Sequence, residues 1–126
     1  MKFVPYNICQ ELKTKYFDEE CLAYSENKNE VLRLTAYFIR NRDIHPQFFL
    51  RPTYQDVIDF FREKHKLVLD VFQEHDTANN IYTGNWLVDI SKLGCYEEPH
   101  IIEITDTYSN YYNALNRAIE EAIKII

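Results

Sequence analysis

Apolar residues recur every three or four positions in three parts of the chain, and this spacing predicts three amphipathic helices. The first helix is expected from Pro5 to about Lys15, because proline suits the first helical turn. Its apolar face would consist of three residues spaced four apart, namely Ile8, Leu12 and Tyr16. These side chains would pack the helix against the rest of the fold.

The second and third helices have recognisable ends. Thr53 is expected to cap the second helix, with Asp56 at the third helical position in a weaker form of the capping box. The basic turn 64–66 would end that helix, since cations oppose the negative end of its dipole. The third helix would follow a cap at Asp106 or Thr107, and its apolar stripe consists of Tyr108, Tyr111, Tyr112, Leu115, Ile119, Ala122, Ile123 and Ile126.

A first pair of strands is predicted between the first two helices. Cys21–Tyr24 and Leu32–Phe38 would form a hairpin around the polar loop Ser25–Glu30. Period-two alternation in the second strand indicates that one face lies on a core while the other is half exposed. The core face would carry Leu32, Leu34, Ala36 and Phe38.

A second group of strands is predicted between the second and third helices. Leu67–Glu74 and Tyr82–Ile90 are expected to pair around the turn-forming stretch His75–Asn80. A loop over Lys92–Pro99 would lead to a short strand at Ile101–Thr105. Strands joined by short turns must be antiparallel.

The order of elements predicts the fold class. Helix, two strands, helix, two or three strands and helix favour an α+β fold over a parallel doubly wound one. We expect a single domain over residues 1–126, with a mainly antiparallel sheet of four to five strands packed by about three helices. The chain has two glycines and no low-complexity linker that would mark a boundary. The repeated helix–strand–strand order would also fit an internal duplication, a question that the sequence leaves open.

Composition and charge restrict the function. The formal net charge of −6 disfavours binding to a phosphate backbone, which normally requires a basic face. Residues 1–6 lack the apolar region of a signal peptide, and the longest apolar runs are only a few residues. We therefore expect a cytoplasmic protein without a membrane span.

No catalytic residue, metal ligand or cofactor site is predicted. Cys9, Cys21 and Cys95 are widely spaced and odd in number, which is typical of buried reduced thiols. The run from Cys95 to His100 does bring a thiol, two carboxylates and an imidazole together. One cysteine and one histidine do not complete a tetrahedral zinc site, so a solvated acidic loop is the preferred interpretation.

Two stretches of the chain resemble small proteins of Bacteroidetes genomes and their prophages. They are residues 53–65, TYQDVIDFFREKH, and residues 111–123, YYNALNRAIEEAI, and the resemblance covers about residues 51–126. Those proteins have no assigned activity. The resemblance therefore implies a mobile-element or gut-bacterial setting and transfers no functional residue.

In element order alone, the chain is also similar to double-stranded-RNA-binding domains. Binding in that family depends on a basic loop and a lysine-rich start to the last helix. Here the corresponding stretch is Asp106-Thr107-Tyr108-Ser109, without lysine. The similarity in order therefore does not extend to function.

The most basic local stretch runs from Arg40 to Arg51 and contains the exposed-looking pair Phe48-Phe49. Arginine beside exposed aromatic rings is typical of a protein-interface hot spot or of a platform that stacks single-stranded nucleic acid. Alternatively, the two phenylalanines fold back as a lid over the core. The first interpretation predicts an interaction surface that consists of Arg40, Arg42, Phe48, Phe49 and Arg51.

Three functional hypotheses follow. The first is a non-enzymatic interaction module, an adaptor or inhibitor with an unidentified protein partner, since the chain has ten tyrosines and no recognisable chemistry. The second is a small enzyme with a site near Trp86 and residues 95–100. The third is a weak nucleic-acid binder that uses Arg40, Arg42, Arg51 and Lys64. The oligomeric state is left open.

Overall fold

The computed structural model describes residues 2–26, 30–94 and 100–126, with the backbone alone at 100–105. These residues form an α+β fold, and its class and element order agree with the prediction. A 3-10 helix at Asn41–Asp43 separates the second and third strands. The remaining elements are α1 (Tyr6–Thr14), β1 (Cys21–Glu26), β2 (Arg33–Ile39), β3 (Phe48–Leu50), α2 (Tyr54–His65), β4 (Leu67–Asp76), β5 (Ile81–Lys92), β6 (His100–Tyr108) and α3 (Tyr111–Lys124).

The strands divide between two antiparallel three-stranded sheets instead of forming one sheet. The first has the order β2-β1-β3 and the second the order β4-β5-β6. The additional strand, β3, lies within the stretch 41–52, whose two prolines and mixed composition gave no strand pattern. It pairs with β1 on the side opposite β2.

The chain also divides into two compact units, residues 1–60 with Ile126 and residues 61–125. The single domain expected over residues 1–126 remains a prediction.

The core of the first unit gathers α1, β1, β3 and the start of α2. Alternate residues of β1 are buried, as expected for a strand with one covered face. Rings meet edge to face at Tyr6–Phe49 and at Phe17–Phe60, each with centroids 4.9 Å apart. The core includes Val4, Ile8, Cys9, Leu12, Phe17, Cys21, Ala23, Ile39, Phe49, Leu50, Val57 and Phe60.

Two predictions about the helices of this unit had opposite outcomes. The capping box of α2 is confirmed, because the Thr53 N–H donates to Asp56 Oδ2 (2.9 Å) and the Asp56 N–H donates to Thr53 Oγ1 (3.2 Å). The assignment of Tyr16 to the buried face of α1 was wrong. The helix ends at Thr14, Tyr16 adopts φ +61°, and its side chain is 91% exposed.

The predicted core face of β2 was also wrong. Leu34 is 69% exposed and Phe38 is 62% exposed, while Tyr37 on the alternate face is 72% exposed. Within this strand Ile39 alone is buried. Alternation indicates a half-buried strand only where an element covers one face, and most of β2 has no such cover.

The pairing of β2 with β1 is irregular in the same exposed part of the strand. From the pair Cys21–Ile39 to the pair Ala23–Leu34, β1 advances by two residues and β2 by five. The extra residues of β2 therefore leave the ladder locally, as in a β-bulge.

In the second unit, α3 packs on one face of the hairpin β4–β5. Register pairs Leu69 with Ile90 and Val71 with Val88 on that face, and Val88 and Ile90 are buried there. The helix contributes Ala114, Leu115, Ala118, Ile119, Ala122 and Ile123.

The start of α3 differs from the prediction. Asn110 is the cap, since its Oδ1 accepts hydrogen bonds from the N–H groups of Tyr112 (2.8 Å) and Asn113 (3.2 Å). Tyr108 belongs to β6, because strand pairing with β5 extends as far as the pair Trp86–Tyr108. None of the helices in the described part of the chain is long and apolar enough to cross a membrane.

Candidate functional site

Arg40 and Arg42 of the predicted interaction surface are paired with an acidic segment. Arg42 Nη2 lies 2.7 Å from Asp18 Oδ2, and Arg40 Nη2 lies 3.4 Å from Glu20 Oε1. Arg40 Nη1 also donates to the Asp18 carbonyl (2.9 Å). Burial raises the pKa of the Asp18 carboxyl, but hydrogen bonds and charge from Arg42, followed by the charge of Arg40, hold it below its usual value.

Arg51 is turned toward the interior. Its Nη1 donates to the Ser25 hydroxyl (3.1 Å) and the Glu30 carbonyl (3.1 Å), and its Nη2 donates to the Val4 carbonyl (3.2 Å). Ser25 is fully buried, so the guanidinium supplies a partner that the hydroxyl needs away from water. Arg51 therefore joins the end of β3 to β1 and to the N-terminal segment.

Phe48 and Phe49 point to opposite sides of β3. Phe49 is fully buried, so the expectation that it is exposed was wrong, and for this residue the lid over the core is the correct alternative. Phe48 is half-buried and stacks on Tyr24 with ring centroids 5.5 Å apart. Of the five predicted surface residues, Phe48 is the one that lines the pocket described next.

That pocket, here called the aromatic groove, has a volume of about 430 Å³. It lies on the face of β1 and β3 that carries Tyr24 and Phe48, opposite the face with their buried neighbours. Its other walls are formed by β2 and by residues 43–45. Its lining consists of Tyr24, Thr35, Tyr37, Phe38, Ile39, Asp43, Ile44, His45 and Phe48.

Side chains and backbone groups of α1 and of residues near its end hold the stretch 41–48, which forms one wall of the groove. Lys13 Nζ donates to the carbonyls of Pro46 (2.5 Å) and Phe48 (2.6 Å), and burial lowers the pKa of this lysine. The Asn41 amide donates to the Phe17 carbonyl. These bonds hold the wall of the groove in place.

The polar groups of the groove are few and oriented. Asp43 Oδ2 accepts a hydrogen bond from the Arg40 N–H (3.0 Å), which leaves Oδ1 able to accept from a ligand. His45 Nδ1 accepts from the Gln47 N–H (3.1 Å), so the neutral imidazole carries its proton on Nε2. An apolar cleft with a few placed polar groups is the usual form of a binding site.

Most of this groove was not predicted from the sequence. Tyr24, Tyr37, Phe38, Asp43 and His45 come from separate segments and share no motif. One local signal was present, because Tyr37 and Phe38 are adjacent aromatic residues of a strand, and a strand with a single covered face exposes one of two such neighbours. In β2 both are exposed, since the residues between the pairs at Leu34 and Ile39 leave the ladder.

The second functional hypothesis centres on Trp86, which is half-buried and meets the Tyr111 ring edge to face with centroids 5.2 Å apart. The stretch Cys95–Pro99 of that candidate site lies outside the described residues, and His100 begins β6. Within the described ranges, no three histidine, cysteine or acidic side chains lie close enough together to hold a metal ion.

The third hypothesis requires a basic surface. Arg40 and Arg42 face carboxylates and Arg51 points inward, so these three residues do not form an open basic patch. Lys64 lies in the last turn of α2, where its positive charge interacts favourably with the negative end of the helix dipole.

Comparison with protein-family models, with curated proteins and with solved structures found no match to this chain. The resemblance of residues 53–65 and 111–123 to Bacteroidetes proteins stays a prediction. Any assignment of function therefore depends on the chemistry of the described residues.

Proposed function

We propose that this chain is a non-enzymatic interaction module that binds an extended segment of a partner protein along β2 and the aromatic groove. The observation that carries the proposal is the exposure of Leu34, Tyr37 and Phe38 within five residues of one strand. Large apolar side chains concentrated in this way are typical of interaction surfaces, and aromatic rings supply much of their binding energy.

The position of β2 supports an extended partner. It lies at the edge of the order β2-β1-β3, so its outer backbone groups have no strand partner in that sheet. An extended segment can add to such an edge through main-chain hydrogen bonds, while pockets that take alternate side chains provide specificity. The aromatic groove would be one of these pockets.

A cytoplasmic location and a bacterial or prophage genome belong to the same proposal. An adaptor or inhibitor of this kind needs no catalytic group, and its partner would determine its role. No geometry among the described residues favours the enzymatic or nucleic-acid hypothesis over this one.

Site-specific photo-crosslinking tests the proposal. A benzophenone amino acid is placed at Tyr37, beside the groove, and at Tyr82, an equally accessible tyrosine of β5, as the matched control. In source cells we expect position 37 to crosslink one defined partner and position 82 to leave it unlabelled. The crosslinked peptide of the partner identifies the docked segment.

A second measurement uses the identified partner in purified form. Phe38→Ser should weaken its binding at least tenfold by calorimetry, since a removed interface anchor typically costs that much or more. The control Tyr82→Ser should bind as the unaltered chain does. Equal crosslinking from both positions, or equal affinity of both variants, would rule the groove out as the docking site.

A further inference from the structure

We infer that the aromatic groove receives a cationic side chain, lysine or arginine, from the docked segment. This inference rests on the proposed function and names the chemistry of the partner. Its basis is the lining of the groove, which includes four phenyl and phenol rings and one carboxylate. The rings belong to Tyr24, Tyr37, Phe38 and Phe48.

The rings favour a cation over a neutral group. The face of an aromatic ring carries the negative part of its quadrupole, so a nearby ammonium or guanidinium is attracted electrostatically. The stacked pair Tyr24–Phe48, with centroids 5.5 Å apart, forms one wall. His45 extends that wall, with its ring centroid 5.9 Å from that of Phe48.

Asp43 is the one acidic residue of the lining, and its charge is not compensated locally. Arg40 and Arg42 direct their guanidinium groups to Glu20 (3.4 Å) and Asp18 (2.7 Å). Across the described residues, no salt bridge joins a cation to Asp43. A ligand cation would neutralise the negative charge of Asp43 and could donate a hydrogen bond to its Oδ1.

Size and net charge agree with this occupant. A cavity of about 430 Å³ lies in the lower half of the usual range for ligand pockets, about 300–1,000 Å³, and has room for a long side chain together with part of its backbone. The chain as a whole carries a formal net charge of −6. This charge attracts a basic segment before contact is made.

Nuclear magnetic resonance titration of the full isotope-labelled chain tests the inference. The probes are capped tripeptides with valine on both sides of a central lysine or arginine. Norleucine and citrulline replace these central residues as neutral controls of similar shape. We expect the cationic peptides to shift resonances of residues 35–48 and to bind at least fivefold more tightly than the neutral ones.

The variant Asp43→Asn removes the charge and keeps an oxygen that can accept the Arg40 N–H. It should weaken binding of the lysine peptide at least threefold and leave the norleucine peptide unchanged. Asp70→Asn, at an exposed position of β4, is the control for the loss of one negative charge. Its affinity for every peptide should equal that of the unaltered chain.

Three outcomes would overturn the inference. The neutral peptides could bind as tightly as the cationic ones, Asp43→Asn could leave the affinity for the lysine peptide unchanged, or no cationic peptide could shift the groove resonances. If the neutral peptides bind as tightly as the cationic ones, the groove is a purely apolar docking site and the proposed function stands. If none of the peptides binds, the inference fails, and crosslinking from position 37 still decides the proposed function separately.

Discussion

Phe48 and Phe49 are chemically identical neighbours that lie in different environments. β3 pairs Phe49 with the buried Ser25 and Phe48 with Glu26 of β1. Because successive side chains of a strand point to opposite faces, one ring enters the core and the other lines the aromatic groove. Composition alone made them look like one exposed pair.

A matched pair of truncations measures this difference. Phe49→Ala should lower the free energy of unfolding by about 3–5 kcal/mol, because it leaves a cavity in the core. Phe38→Ala removes the same atoms from a side chain that is mostly in water, and it should cost less than about 1 kcal/mol. Urea unfolding followed by circular dichroism provides both values, and equal losses would contradict the burial of Phe49.

The ion pair of Asp18 predicts a dependence of stability on pH. The pKa of Asp18 is lower in the fold than in the unfolded chain. Its contribution to the free energy of unfolding is therefore fully present above the unfolded pKa of about 3.9 and is lost as the pH falls through the folded pKa. Asp18→Asn should therefore cost up to about 1 kcal/mol at pH 7, since the Arg42 side chain is largely exposed.

The loss caused by Asp18→Asn should shrink toward zero as the pH falls below the lowered pKa of Asp18, where the native carboxyl is protonated too. Urea midpoints at pH 7, 5 and 3 measure this trend. Glu63→Gln, at an exposed position of α2, controls for the change in net charge. A loss that stays constant with pH would assign the effect to packing and not to the ion pair.

Among the elements, the helices followed local rules more closely than the strands did. The capping box at Thr53 forms as its residue types predict, since both partners lie within one helical turn. The start of α3 was placed too early because the tyrosines at 108, 111 and 112 continue the apolar stripe. Strand pairing with Trp86 takes Tyr108 into β6 and leaves Asn110 as the cap.

The cap of α3 can be tested against the position that the sequence favoured. Asn110→Ala should lower the free energy of unfolding by about 1 kcal/mol, because two helical N–H groups lose their acceptor. Thr107→Ala, an exposed position of β6, should change it by less than about 0.5 kcal/mol. Thermal unfolding of both variants distinguishes the two caps, and a larger loss at Thr107 would contradict the structure.

At the scale of the molecule, burial controls the reactivity of the two described thiols, Cys9 and Cys21. Burial raises the pKa of Cys9 to about 12, against smaller lowering effects of Arg51, and burial also raises the pKa of Cys21. A thiol reacts as its thiolate, so both should be inert while the fold is closed. The expectation of buried cysteines is confirmed for these two residues.

Thiol labelling tests whether the fold protects Cys9 and Cys21 from reaction. In a Cys95→Ser background, a disulfide reagent at pH 8 reports on Cys9 and Cys21 alone. We expect labelling at least about 100-fold slower than in urea, since each thiol must wait for the structure to open. Fast labelling without denaturant would show that the first unit does not exclude water from its core.

The α+β class, the order of the predicted elements and the α2 capping box could all be read from the chain. Each depends on periodicity or on hydrogen bonds between near neighbours, which residue types control directly. The division into two sheets, the place of β3 and the open face of β2 depend on which strand edges meet. Several pairings suit the same pattern, and non-local contacts select one of them, so the aromatic groove exists only once residues 24, 35–39 and 43–48 are brought together.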